Sequence, residues 1–401
     1  MSASPTAATR SRDRRLLIGL MFIGFISLGL PDGLLGVAWP SISRARGVGL
    51  ADLGTLLIAF SVGYLTISVI SGRILARLGV GRLLALCGSI TALSLLGFAS
   101  VPFWPLLLLV AVALGAGGGA IDAGLNAYAA AHTSPRVINW LHACYGIGAT
   151  LGPAIMTGVL SADLPWQLGY IIVGSAQLVL AGLFALTQRR WEDGALAQSA
   201  QPGEQKHEAG LRATLRLPVV WLSILVFGLY TGLEVSAGQW SFSLFTLGRG
   251  VPTTLAGQWI SAYWGSLTFG RILMGFIAGR VTPRAMLRLA AAGALGGAVL
   301  IALGAGWLAD VIGLLLMGFS LAPIFPLLIA TTAERVGRAH ADNAIGMQVA
   351  AATVGAAAVP WTIGRLVGMT GISSIGMGIV GAAALYTACY AGLALAGRQR
   401  A

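Results

Sequence analysis

Twelve apolar stretches, each roughly 20 residues long, divide this chain, and few folds can accommodate that many. They fall near residues 16–40, 51–73, 83–101, 105–131, 138–161 and 166–187, then near 218–246, 253–279, 284–305, 307–333, 341–369 and 372–396. About 20 apolar residues make one α-helical crossing of a bilayer. Helices suit that setting because each satisfies its own backbone N–H and C=O groups where no water is available. Between the sixth and seventh stretches the chain turns polar, with Glu192, Asp193, Glu204, Lys206, Glu208, Arg212 and Arg216. That segment reads as a flexible linker. The organisation is therefore a six-span half (1–187), a linker (188–217) and a second six-span half (218–401). Composition agrees. Charged residues make up 9% of the chain, whereas soluble domains carry about a quarter, so the chain has too little polar surface to cover itself in water. Its 57 glycines suit helices that approach closely within a membrane.

The loops predict an orientation. With the N-terminus placed inside, twenty Arg and Lys fall in inner segments. Only Arg44, Arg46 and Arg249 fall in outer loops, and Arg271 and Arg365 lie within spans. Basic residues accumulate on the cytoplasmic side, which puts both termini in the cytoplasm and the protein in the inner or plasma membrane. Arg10, Arg12, Arg14 and Arg15 precede the first span. That span is too long for the core of a signal peptide and holds Pro31 and Asp32, so it reads as a transmembrane helix. The net charge of +12 comes from Arg scattered singly between apolar runs, which excludes a nucleic-acid surface. Cys87, Cys144 and Cys389 lack metal-ligand spacing and read as small packing residues.

The halves echo each other. After span 2 stands Gly72-Arg-Ile-Leu-Ala-Arg77-Leu-Gly79-Val-Gly-Arg82, and after span 8 stands Gly275-Phe-Ile-Ala-Gly-Arg280-Val-Thr-Pro-Arg284. Both segments resemble the loop signature G-x-x-x-D-R-x-G-R-R of the major facilitator superfamily, with Ala76 and Gly279 in place of its Asp. Span 1 carries Leu30-Pro-Asp32-Gly-Leu-Leu, span 4 carries Asp122-Ala-Gly-Leu-Asn126, span 5 opens with Asn139-Trp-Leu-His142-Ala-Cys-Tyr-Gly146-Ile-Gly148, and span 10 holds Leu321-Ala-Pro-Ile-Phe-Pro326. Within the superfamily these resemble the fucose permease group of proton-coupled sugar symporters, although the span 4 acid is Asp rather than Glu. The resemblance implies an all-α membrane protein of twelve transmembrane helices in two parallel six-helix repeats, working as a monomer on a sugar-like solute and protons. The latch that the signature's Asp supplies in the family is not expected here.

Ionisable residues at mid-span are costly, at least about 2.5 kcal/mol on insertion scales, and normally face a cavity on the transport path. Asp32, Asp122 and Glu234 are the candidates for proton coupling. Pro31 and Gly33 suggest a broken or bent helix at Asp32. Burial in a low dielectric disfavours a charged carboxylate, so such a group takes up a proton readily. Asp122 and Asn126 share one helix face. Glu234 is the repeat counterpart of Asp32, with Gln239 and Trp240 following. Carboxylate and amide suit hydroxyl groups, and an indole suits an apolar ring face. Asn126, Asn139, His142, Gln239, Trp240, Tyr263, Trp264 and Gln348 are the substrate-binding candidates, and His142 titrates near neutrality. Arg271 needs a partner, for which Glu234 is the candidate. Arg365 is expected near the inner end of span 11, where it can snorkel.

No G-x-x-x-x-G-K, H-E-x-x-H or Cys/His cluster occurs, so neither enzyme chemistry, cofactor nor metal is expected. The reading is secondary transport by alternating access, most simply symport of a sugar or polyol with a proton. Proton-antiport export of drugs or metabolites is the alternative within transport. A non-transporting membrane sensor is the alternative outside it.

Overall fold

The computed structural model describes residues 7–191, 209–277 and 280–396, and helix dominates them throughout. The charged centre of the linker and Gly279 lie outside the described residues. Helix α1 is Ala7–Arg46. It runs through Pro31 unbroken, so of the broken or bent helix expected at Asp32 the broken form does not occur. Proline removes one N–H, and the rest of the ladder carries the helix past it. The run Leu53–Ser100 turns at Gly79, whose φ of 73° and ψ of 164° are open essentially to glycine alone. It is therefore two helices, α2 before Gly79 and α3 after it. The others are α4 Trp104–His132, α5 Pro135–Ser161, α6 Gln167–Thr187, α7 Pro218–Ser243, α8 Thr253–Ile277, α9 Pro283–Leu303, α10 Trp307–Leu321, α11 Arg338–Thr370 and α12 Ser374–Ala396.

Ten helices among the described residues are long and apolar enough to cross a membrane. One of them holds both α2 and α3. The twelfth span, α8, is less apolar because it carries Gln258, Tyr263, Trp264 and Arg271. An interruption occurs in span 10. There α10 ends at Leu321, and the chain resumes as the short helices Ile324–Ala330 and Thr332–Val336. Pro323 lacks an N–H to bond the turn above, while Ala322 before it keeps helical angles, φ −52° and ψ −48°, so the interruption is a gap in the hydrogen-bond ladder. Large apolar side chains point outward over the surface, among them Val69, Leu186, Phe276 and Met369, as a bilayer requires.

The two halves have the same packing. In the first, α1 packs on α5, α2 and α3 on α4, and α3 on α6; in the second, α7 packs on α11, α8 and α9 on α10, and α9 on α12. Each pairing recurs six helices later, so the sequence echo reflects a repeated bundle.

The halves meet along α1–α7, α2–α11 and α5–α8. These contacts lie toward the face opposite the N-terminus and the linker, here called the outer face. Ser61 on α2 donates to the Thr353 carbonyl on α11 at 3.4 Å, and Ser161 at the end of α5 lies 2.7 Å from Thr254 at the start of α8. Apolar packing divides in the same way. The outer parts of α1, α2 and α4 share one continuous core with the second half, including Leu34, Trp39, Leu53 and Trp240. The inner part of the first half, around Phe25, Leu84, Leu125 and Phe184, forms a separate core. The two bundles are thus sealed at the outer face and packed independently toward the inner one.

Candidate functional site

The three mid-span acids each receive a tyrosine hydroxyl. The Tyr145 hydroxyl on α5 donates to Asp32 Oδ2 on α1. On α4, Asp122 Oδ2 accepts from the Tyr64 hydroxyl of α2 at 2.8 Å. Its Oδ1 accepts from Asn126 Nδ2 at 2.9 Å, the one-turn pairing that the sequence spacing implies. On α7, Glu234 Oε2 accepts from the hydroxyl of Tyr230, one turn earlier on the same helix. Arg271 of α8 brings Nη2 to 3.3 Å from Glu234 Oε1. The Tyr263 hydroxyl donates to the Glu234 backbone carbonyl at 2.8 Å, which ties α8 to α7 just where the acid stands.

These groups form one polar centre. Gln239 Nε2 on α7 donates to the Asp32 carbonyl on α1 at 2.8 Å, a hydrogen bond between the two halves. Asp32 and Glu234 are close enough for their charges to interact, and Tyr64 is within reach of both Asp32 and Asp122. The charge balance is uneven. Arg271 pairs with Glu234, while Asp32 and Asp122 have no Arg or Lys partner among the described residues. A desolvated carboxylate without a counter-charge is costly, and protonation is the ordinary way to relieve that cost. Glu234 is thus paired with Arg271, while Asp32 and Asp122 have hydroxyl and amide partners.

The remaining expected residues fall in different places. Asn139 and His142 are exposed at the start of α5, toward the inner face. The His142 ring meets Phe25 edge-on, with centroids 5.4 Å apart, and His142 lies within electrostatic reach of Asp122 and Arg271. Trp264 is buried against Gly238, and its indole N–H has no partner. Trp240 is wholly buried and donates to the Pro360 carbonyl of α11 at 3.1 Å. Its indole holds α7 to α11 and is closed off from any solute in this conformation. Gln348 is buried in the second half, where its Oε1 accepts from the Thr332 hydroxyl at 3.0 Å. Arg365 is also corrected: α11 runs from the inner to the outer face, so Arg365 stands in its outer turns, next to Gly364, which abuts Ala51.

Sequence reasoning weighed acids and passed over most of their hydroxyl donors. Tyr230 had a readable signal, four residues before Glu234. Tyr64 and Tyr145 come from other helices, and only the fold brings them to Asp122 and Asp32. A second ion pair was also missed. Arg249, after α7, binds Asp310 of α10 and the Ile301 carbonyl of α9, and its guanidinium lies 5.7 Å from the centre of the Phe245 ring. It fastens the outer ends of three helices within the second half.

Comparison with known proteins places this architecture. The sequence profile described as "Major Facilitator Superfamily" matches residues 21–360. The chain belongs to the major facilitator superfamily. It is 25% identical over 290 residues to "Bypass of stop codon protein 6" of Saccharomyces cerevisiae, covering 66% of this chain and 58% of that protein's length. It is 21% identical over 353 residues to the "Glucose/mannose transporter GlcP" of Bacillus subtilis, covering 87% of this chain and 86% of the relative. Among solved structures it resembles the nucleoside transporter NupG, with a TM-score of 0.79 at 14% identity over 93% of this chain and 98% of that one. It also resembles the E. coli fucose:proton symporter FucP, with a TM-score of 0.63 at 17% identity over 96% and 98%. The superfamily assignment fits the repeated six-helix bundles and makes this a multi-pass membrane transporter. The polar centre lies where the two bundles of such a transporter meet.

Proposed function

We propose that this transporter carries a hydroxylated solute, a sugar or polyol, together with a proton, by rocking its two halves about the polar centre. Asp32 and Asp122 are the proton carriers in this reading. The observation that carries it is the charge balance: two acids at mid-membrane have hydroxyl and amide partners and, among the described residues, no Arg or Lys partner, while Glu234 is matched by Arg271. Taking up a proton removes the charge that opposes closing the centre away from water. A solute with several hydroxyls finds Asp122 with Asn126, the exposed Asn139 and His142, and the amide of Gln239. The names of GlcP and FucP, each a sugar transporter, support the solute class. With both termini cytoplasmic, as the Arg distribution favours, the seal at the outer face makes this conformation inward-facing, and it releases solute and proton to the cytoplasm. Such a protein works as a monomer in the inner membrane.

The test is accumulation. Purified protein in liposomes is given an inward proton gradient and a panel of labelled hexoses, pentoses and polyols. Uptake above equilibrium for at least one sugar, reduced to simple equilibration by Asp32→Asn or Asp122→Asn, is expected. Equilibration alone in the wild type refutes proton coupling.

A further inference from the structure

Gly119, Asp122 and Asn126 lie along one face of α4, at the three- and four-residue spacings of neighbouring turns. Helix α2 packs against α4 at close range. A Cβ on Gly115 would overlap the Phe60 carbonyl oxygen of α2. One on Gly119 would lie 2.8 Å from Ile67 Cγ2, 3.1 Å from the Tyr64 carbonyl oxygen and 3.2 Å from Tyr64 Cδ2. The two helices come this close because those positions carry no side chain. The Tyr64 ring thus lies against Gly119, and its hydroxyl reaches one turn further along α4 to Asp122 Oδ2, at 2.8 Å. Phe60, one turn earlier on α2, stacks on the same ring with centroids 6.3 Å apart and an interplanar angle of 29°.

A hydroxyl that donates to a carboxylate favours the ionised acid over the protonated one. Asn126 Nδ2 donates to the other oxygen of Asp122 at 2.9 Å, so each oxygen has its own donor and the carboxylate is oriented. Both donors stand in the first half, on α2 and α4. Helices joined by glycine contacts of this kind move as one body when the halves rock. Asp32 is built differently. Gln239 of the second half donates to its backbone carbonyl, and Glu234 of the second half lies within electrostatic reach of its side chain. The other titratable groups around Asp122 are His142 of α5, whose ring meets Phe25 edge-on, and Asp32 of α1, within electrostatic reach of the same Tyr64 hydroxyl.

We propose that Tyr64 is a positioning residue for proton release: seated on Gly119, it holds the Asp122 carboxylate in both the outer-closed and the outer-open state, and so sets the internal pH at which Asp122 gives up its proton. The inference rests on the proton-coupled reading above. It divides the work of the two acids. Asp122 keeps its donors through the cycle and responds to the pH of the solution it faces. Asp32 loses a contact with the second half when α1 and α7 separate, and responds to conformation.

The experiment uses the labelled sugar that accumulates in the panel above. Proton-driven uptake is measured as a function of internal pH, with sugar counterflow alongside, in wild type, Tyr64→Phe, Gly119→Ala and the double variant. Tyr64→Phe removes the donor and keeps the ring on Gly119. Gly119→Ala keeps the hydroxyl and displaces the ring. Loss of a hydrogen bond to an ionised group weakens the charged form by about ten- to a hundredfold. Tyr64→Phe is therefore expected to need an internal pH more alkaline by about one to two units for half-maximal uptake. Counterflow, in which the loaded carrier exchanges sugar without releasing its proton, is expected to stay near wild type, whereas a purely structural role lowers both. Gly119→Ala should shift the profile the same way by less, and the double variant no further than Tyr64→Phe, because both changes act through one hydrogen bond. A Tyr64→Phe profile superimposed on a pH-dependent wild type overturns the inference alone, as does loss of uptake and counterflow together in both single variants. Shifts that add in the double variant overturn Gly119 as the seat of Tyr64. Wild-type uptake that ignores internal pH refutes proton coupling and this inference with it.

Discussion

Gly36 tests whether the outer contact between α1 and α7 is a gate. A Cβ added there would lie 2.7 Å from the Gly238 carbonyl oxygen, 2.9 Å from Gln239 Cα and 3.1 Å from Gln239 Oε1. The two nearest atoms are backbone, so the clash is relieved only by separating the helices. Overpacking of this kind costs about 1–3 kcal/mol. The cost falls on the sealed state alone, because α7 moves away from α1 when the outer face opens. The gain in helix propensity from Gly to Ala is common to both states and cancels. Gly36→Ala should therefore shift the balance from outer-closed to outer-open by roughly 5- to 150-fold. Spin labels at Asp163→Cys and Ser373→Cys, in the outer loops of the two halves and in a background with the native cysteines replaced, report the opening as a distance. The wild type should show mainly the short distance and Gly36→Ala mainly a longer one. An unchanged distance distribution in a folded Gly36→Ala protein would refute the assignment of this contact to a gate.

Two further outcomes follow from the ion pairs. Removing one partner of the Glu234–Arg271 pair, as in Arg271→Gln, leaves a buried charge and should cost about 3–5 kcal/mol of stability. Glu234→Gln combined with Arg271→Gln should recover much of that in thermal melts, and equal losses in the single and double variants would contradict the pairing. Arg249→Ala or Asp310→Ala should likewise lower the melting temperature, by breaking the tie between α7, α9 and α10, while Asp310→Ala leaves solute selectivity unchanged across a sugar panel. Altered selectivity there would show that this outer pair takes part in recognition.

The span pattern was legible because a bilayer imposes one strong rule, the length of an apolar helix, on every element. All twelve stretches correspond to helices, with α2 and α3 joined through the turn that Gly79 permits. Local chemistry within one helix was legible too: Asn126 reaches Asp122 at the expected one-turn spacing. Proline was a less certain guide. Pro31 is absorbed within α1, whereas the stretch with Pro323 breaks. A single missing N–H is tolerated where close packing of the helix on α5 holds the backbone, so the outcome depends on neighbours the sequence does not name. The same limit explains the site. Which way Trp240 points, and which tyrosines reach Asp32 and Asp122, depends on the crossing of α7 with α11 and of α1 with α5. Periodicity along one helix carries no information about those crossings. Arg365 was misplaced for a simpler reason, the direction in which span 11 crosses the membrane.

The central claim, that Asp32 and Asp122 couple protons to a sugar-like solute, is tested most directly with a pH electrode outside liposomes that hold the purified protein. On adding the cognate sugar, the account predicts a rise in external pH as solute and proton enter together, absent in Asp32→Asn and in Asp122→Asn. Sugar entry without any pH change, or a pH change that survives both substitutions, would contradict it.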